Sequence, residues 1–268
     1  MSAAPSSTVP RWGSQPIDPR EPNLPALKVK YLLDHLPATG DVLEIGSGDG
    51  KILRTFAVQR PALALHGCDV RYWDAAPDGI AFRLITSRDL PYEDASMDAI
   101  VIVDTLEHVE DPDHLVAEIA RVLRPGGRFV AFVPVEGEPL SAYALYRRLL
   151  GRDLYLRTKE HVQSYRFADV ERLLARDFDL AHVDHIYHAI GHLMDATFFA
   201  AAALPRLHKF WWSENRYYTA ADDKPASPLA AVLNGMLTVG NAVAYVESRM
   251  LARYRLGAAG MLFEARRR

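Results

Sequence analysis

Residues 42–51 read VLEIGSGDGK, a short apolar run ending in Glu44 and followed by glycines at 46, 48 and 50, with Asp49 between the last two. An apolar run this short, stopped by a glycine, reads as a buried strand entering a tight turn. Residues 50–59 then take up helical spacing, so the whole stretch is a strand, a turn and a helix. Glycines in such a turn permit φ > 0 and let another group come close to the main chain, because no Cβ intervenes. A unit of this kind opens a parallel α/β sheet, whose ligand crevice lies at the carboxyl ends of the strands.

The pattern continues outward from that unit. Residues 25–36 (PALKVKYLLDHL) have helical spacing ahead of it, and strands follow at 62–68, 81–85 and 98–104 (DAIVIVD). A helix at 114–123 and a strand at 127–134 complete the alternation. Strands that are apolar almost throughout belong in a parallel sheet covered on both faces. Helices are predicted at 139–150 and 167–176, a sixth strand at 178–190 and a closing strand at 260–266. Helical patterns at 191–204 and 228–250 lie between those last two strands. The expected organisation is a tail over 1–23, a core domain from 24–190 plus 257–268, and a helical insertion over 191–256.

Composition limits the function classes. Hydrophobic residues make up 49% of the 268 and charged residues 24%, enough for a large core. Lys and Arg number 31 against 34 Asp and Glu, so no basic excess points to nucleic acid. Cys68 is the single cysteine, which rules out an intrachain disulfide and a cysteine-rich zinc site. The first residues are rich in Pro and Ser and lack the apolar centre of a signal peptide, so a cytoplasmic location is expected.

The glycine spacing bears on the ligand. A dinucleotide fingerprint requires G-x-G-x-x-G, with amides aimed at a pyrophosphate. Here the third glycine arrives one residue early, and Glu44 and Asp49 are poor neighbours for a phosphate. Acidic residues there suit a positively charged ligand without phosphate, a description that S-adenosylmethionine meets. Asp69 closes the second strand (HGCD), where a carboxylate accepts from both ribose hydroxyls; NAD enzymes use the same device.

With those residues in view, the sequence resembles the class I S-adenosylmethionine-dependent methyltransferases, particularly the small-molecule group of the ubiquinone and menaquinone biosynthesis enzymes (methyltransferase type 11 domain). The resemblance lies in VLEIGSGDGK, HGCD, LPYEDASMDAIVIVDTLEHVEDP at 90–112 and LVAEIARVLRPGGRFVAFVP at 115–134. It implies a Rossmann-like doubly wound sheet of seven strands with an antiparallel last strand, leaving residues 191–256 as an insertion between strands six and seven. It also implies that Glu44, Gly46, Ser47 and Gly48 hold the methionine portion, Asp69 the ribose, and Val70 and Arg71 the adenine. Asp104 would lie near the methionine ammonium or the acceptor. Similar enzymes often carry Asp where this chain has Thr86, so Thr86, Ser87 or main-chain amides would take over adenine recognition.

The fourth strand lacks the Asn/Asp-Pro-Pro-aromatic motif used on flipped bases, so DNA is not the expected acceptor. Methyl transfer mainly requires alignment in a dry site, with a base only where the acceptor must lose a proton. His108 is the first candidate for that base and His161 the second, with Tyr165 orienting the acceptor. Each of the three could equally be a packed polar residue. Asp104, Glu107 and His108 resemble the E-x-x-E-H spacing by which some O-methyltransferases hold a divalent metal, but the same segment caps a strand in metal-free relatives, and no metal is assigned. His188, His192 and Asp195 would share a helix face, also without a metal assigned.

The sheet order of the resembled family implies that the insertion leaves from the edge that carries the site. Its apolar and aromatic content (LMDATFFAAAAL, KFWW at 209–212, RYY) suits a lid over a hydrophobic, quinone-like or lipid- or glycan-linked small molecule, with peripheral membrane contact. A helical hairpin completing the core, or a homodimer interface, explains it equally. O- or C-methylation is the expected chemistry. An NAD-dependent oxidoreductase and a non-catalytic cofactor-binding scaffold are the alternatives.

Overall fold

The computed structural model describes residues 16–71, 79–151, 161–202 and 228–268. The expectations for Lys209, Trp211 and Trp212 lie outside these residues, as does most of the tail.

The helices and strands follow in the order α1 (Leu24–His35), β1 (Gly40–Ile45), α2 (Lys51–Gln59), β2 (Leu63–Asp69), β3 (Ala81–Leu84) and β4 (Met97–Val103). Then come a 3₁₀ turn (Leu106–His108), α3 (Pro112–Val122), β5 (Leu123–Pro134), α4 (Ala142–Leu150), α5 (Phe167–Leu174), β6 (Phe178–Ile186), α6 (Ala189–Ala202), α7 (Pro228–Leu251) and β7 (Gly260–Arg267). The seven strands form one sheet in the order β3-β2-β1-β4-β5-β7-β6. Strand β7 runs antiparallel to both β5 and β6, while the pairings from β3 across to β5 are parallel. The order reverses between β1 and β4, which places the ligand crevice beyond their carboxyl ends.

Alternation along the strands fills both faces of the sheet. Leu43, Ile100, Phe129, Ala131 and Phe263 point to one side, where α3 and α5 pack. Val42, Ala99, Val101, Val130 and Leu262 point to the other, against α1 and α2. Neighbours in sequence thus go to opposite layers, as the period of 2 in a strand demands. Caps fix where the helices start: Asn23 Oδ1 accepts from the Ala26 amide at 2.8 Å, and Asp111 Oδ1 from the His114 amide at 3.1 Å. Residues 16–23 run along the domain, with the Ile17 amide donating to Thr55 Oγ1 at 2.9 Å.

Strand β6 stops four residues short of the expected 190. Tyr187 adopts φ 58°, a left-handed turn, and α6 begins at Ala189. The apolar run at 186–190 misled the periodicity, because a buried helix start and a buried strand end look alike over so short a span. In the insertion, α6 packs on α7: a Cβ at Gly240 would lie 2.4 Å from Met194 Cε, and Glu247 accepts from the amides of Ile190 and Gly191 at the start of α6. Among the described residues no helix is long and apolar enough to cross a membrane.

Candidate active site

The turn after β1 is built from three left-handed glycines: Gly46 at φ 73°, Gly48 at 51° and Gly50 at 76°. Only glycine enters this region at little cost. Their surroundings differ. A Cβ on Gly46 would stand 2.6 Å from Thr105 Oγ1, so the bare backbone there is required by Thr105 from the neighbouring strand end. Around Gly48 nothing lies within 4 Å of the Cβ position, leaving that face open to a ligand. Gly50 is the N-cap of α2.

Acidic groups surround the turn. Glu44 is 3% exposed and its Oε2 has no hydrogen-bond partner. Burial, with Asp49 and Asp69 nearby, pushes its carboxyl well above the usual carboxylate range. Asp69 Oδ2 accepts from the Gly48 amide at 2.9 Å and Oδ1 from the Arg71 amide at 3.1 Å. Its carboxylate therefore ties the glycine turn to the end of β2 while keeping lone pairs for a further donor. Ser47 is buried, and its Oγ has no partner. Val70 and Arg71 are exposed beyond β2, and Thr86 and Ser87 are exposed beyond the adjacent β3, so all four stand at one end of the sheet.

This arrangement fits S-adenosylmethionine: an orphaned buried carboxyl oxygen and an open glycine face suit a cationic ligand that brings no phosphate.

Beyond β4 the groups are different. Asp104 adopts φ 48°, a strained conformation for a residue other than glycine, and its Oδ2 lies 2.7 Å from Lys28 Nζ on α1. Lys28 Nζ also stands 3.6 Å from the centre of the Phe132 ring. Burial works to lower the Lys28 pKa, but Asp104, Tyr187 and Asp195 together outweigh it and the net shift is upward. The ammonium therefore stays charged, and Asp104 faces the crevice as half of an ion pair.

Glu107, on the 3₁₀ turn, is 1% exposed, and neither of its carboxyl oxygens has a partner. Burial and the nearby Asp104 raise its pKa. His108 and His161 each bring Nε2 to 3.9 Å from Glu107 Oε1. Their rings meet edge to face with centres 4.9 Å apart. His161 Nδ1 lies 3.0 Å from Oε2 of the buried Glu136, just beyond β5. The two imidazoles singled out in the sequence are thus neighbours, although 53 residue numbers separate them.

Tyr165 stands apart from them in use. Its hydroxyl donates to the Leu106 carbonyl at 3.2 Å and the residue is buried, so it props the 3₁₀ turn. His188 Nε2 bonds to the Tyr254 carbonyl at 2.9 Å and His192 stacks on Tyr143. At Asp195, burial and then Glu136 push the pKa up to about 8.

Lys28, Thr105 and Glu136 were missed in the sequence. Glu136 had a weak signal, an acidic residue two positions beyond the end of an apolar strand that leads into the crevice.

Comparison with known proteins follows the same half of the chain. Residues 43–131 match the profile of a family described as a methyltransferase domain. A demethylmenaquinone methyltransferase from Tropheryma whipplei is 39% identical over 98 residues, covering 34% of this chain and 40% of that protein. A ubiquinone biosynthesis O-methyltransferase from Xylella fastidiosa is 32% identical over 149 residues, covering 48% and 57%. The chain therefore spans about half the length of the curated relatives it matches, or less. Among solved structures, a phosphoethanolamine N-methyltransferase 2 from Haemonchus contortus in complex with S-adenosyl-L-methionine shares the fold at TM-score 0.51 and 15% identity, covering 90% of this chain and 52% of that one.

Proposed function

We propose that the chain, whose residues 43–131 match a methyltransferase domain, uses S-adenosylmethionine to methylate an oxygen of a small, largely apolar acceptor such as a quinol-like ring. The observation that carries this reading is the orphaned Glu44 oxygen beside the open Gly48 face, a place for a cation and not for a pyrophosphate. When bound there, S-adenosylmethionine supplies an electrophilic methyl carbon. Glu44 and Ser47 meet its amino-acid end, and Asp69 accepts from the ribose while holding the turn in shape. Thr86 and Ser87 stand beside the adenine with Val70 and Arg71.

The acceptor side lies beyond β4 and β5. Lys28 and Asp104 separate it from the cofactor crevice as a fixed ion pair. Glu107, His108 and His161 face the acceptor, with Glu136 setting the orientation of His161. A hydroxyl acceptor suits imidazole–carboxylate surroundings, because it must lose its proton as the new bond forms. The described helices of the insertion, α6 and α7, contribute Asp195 and cover the acceptor side in this reading. An apolar stripe on α7, comprising Val232, Met236, Val239, Val243, Val246 and Met250, remains exposed and supports a hydrophobic or lipid-linked acceptor.

The test is transfer of labelled methyl from S-adenosylmethionine to membrane and soluble extracts, with quinol and glycan fractions assayed separately. Label in a hydroxylated apolar fraction supports the reading. Cofactor binding with no transfer to any fraction would favour the scaffold alternative.

A further inference from the structure

One side of α7 is bare although the helix is packed on the other. Leu237, Ala244 and Ser248 are buried, whereas Val232, Met236, Val239, Val243, Val246 and Met250 are exposed, Val239 by 66% and Met250 by 74%. The exposed residues follow one another at steps of four, three, four, three and four, which is the a and d spacing of a helix seam. Ala242, Val243, Val246 and Leu251 line a shallow groove along this side. Glycine weakens a helix interior, and its two occurrences in α7 differ in use. Gly240 makes room for Met194, but no described atom occupies the room that Gly235 leaves beside the stripe.

Charge decides between a lipid surface and a protein partner. Helices that lie on bilayers carry Lys and Arg along their polar face. In α7 there is none from 228 to 248, and Glu247 is the single charged residue in that range. The stripe is, by contrast, complementary to itself. Turned antiparallel about a two-fold axis at its middle, Val232 meets Met250, Met236 meets Val246 and Val239 meets Val243, so every layer is apolar and each methionine faces a valine. The exposed parts of these six side chains come to roughly 600 Å² per copy, most of the ~800 Å² per partner in a standard stable interface.

We propose that a second copy of this chain covers the stripe, α7 against α7 in antiparallel register. Gly235 and Ala242, seven residues apart on one flank of the seam, let the two helices approach closely. Glu247 accepts from the amides at the start of α6, so a seam on α7 braces the whole insertion from outside. A stripe covered in this way offers no path to a lipid tail, and the acceptor is then defined by the pocket beyond β4 and β5 alone.

Sedimentation equilibrium of the full-length protein over a wide range of concentration should show a dimer. Val239→Glu should weaken association about 100-fold, while circular dichroism and the Kd for S-adenosylmethionine stay as in the wild type; Met236→Glu gives the same reading if Val239→Glu does not fold. Val58→Glu, at an equally exposed valine on α2, should leave the dimer intact. Mixed Val232→Cys and Met250→Cys chains should form an interchain disulfide that neither forms alone, and the buried Cys68 does not compete. A monomer at every concentration would overturn the proposal, as would a dimer indifferent to both glutamate variants, or one in which each cysteine variant links to itself. Binding of a monomeric wild type to phosphatidylglycerol vesicles, lost in Val239→Glu, would overturn it in favour of lipid. Failure of the dimer leaves the methyltransferase reading standing, because the turn after β1 belongs to one chain and its cofactor binding is titrated separately.

Discussion

The crevice after β1 and the pocket after β4 and β5 differ in what they are made of. In the first, the main chain forms the wall: three left-handed glycines in five residues, with Asp69 bonded to one of their amides. In the second, side chains from residues 28, 104, 107, 136, 161 and 195 meet across α1, the β4 and β5 exits and the insertion. A wall of backbone tolerates few substitutions and accepts one ligand shape. A wall of side chains can be respecified one residue at a time, which suits a common cofactor beside a variable acceptor.

Substitutions should therefore separate the two regions. The largest effect is expected at Gly46, where alanine combines a left-handed φ with a Cβ 2.6 Å from Thr105. Gly46→Ala should cost about 2 to 5 kcal/mol of stability and most of the cofactor affinity. Gly48→Ala, in open space, should cost only about 1 to 2 kcal/mol. Denaturant melts of both variants check this, and equal losses would mean that the Thr105 contact is unimportant.

Asp69→Ala comes next. It removes the charged hydrogen bonds to the Gly48 and Arg71 amides and, on the proposed function, those to the ribose, and should weaken S-adenosylmethionine binding by about 2 to 4 kcal/mol in calorimetry. An unchanged Kd would exclude Asp69 from the site. On the other side, Glu136→Gln should lower kcat about 10- to 100-fold while leaving the cofactor Kd within about threefold, because it disturbs the His161 ring and not the turn after β1. A matching loss of cofactor affinity would erase the division between the two regions.

The smallest effect concerns Asp195. Its folded pKa is about 8 against an ordinary 3.8, with burial the main cause. Between those values the folded chain holds a proton that the unfolded chain has released, so stability falls as pH rises through that window and the loss is complete above 8. Asp195→Asn should melt higher than the wild type at pH 8.5, by about 2 to 4 °C for each kcal/mol recovered, with the gap narrowing toward pH 5. A gap that does not change with pH would show that Asp195 is ionised in the folded state throughout.

The same contrast explains what could be read in advance. Glycine spacing, strand hydrophobicity and the order of strands and helices are local properties, so the β1 turn and the seven strands were legible from the chain, whereas the antiparallel direction of the last strand came from the family resemblance. The pairing of His161 with Glu136 and of Lys28 with Asp104 depends on long-range packing, and no local pattern encodes it. The bond from the Tyr165 hydroxyl to the Leu106 carbonyl on the 3₁₀ turn is likewise a long-range contact that no local pattern encodes. Strand β6 was overdrawn because residues 186–190 are apolar on either side of a left-handed turn that the alternation does not reveal.

Parallel calorimetric titrations of the full-length protein with S-adenosylmethionine and with NADH at pH 7.5 test the account most directly. One equivalent of S-adenosylmethionine should bind, with affinity lost in Asp69→Ala, and NADH should give no heat. Saturable NADH binding that excludes S-adenosylmethionine would contradict it.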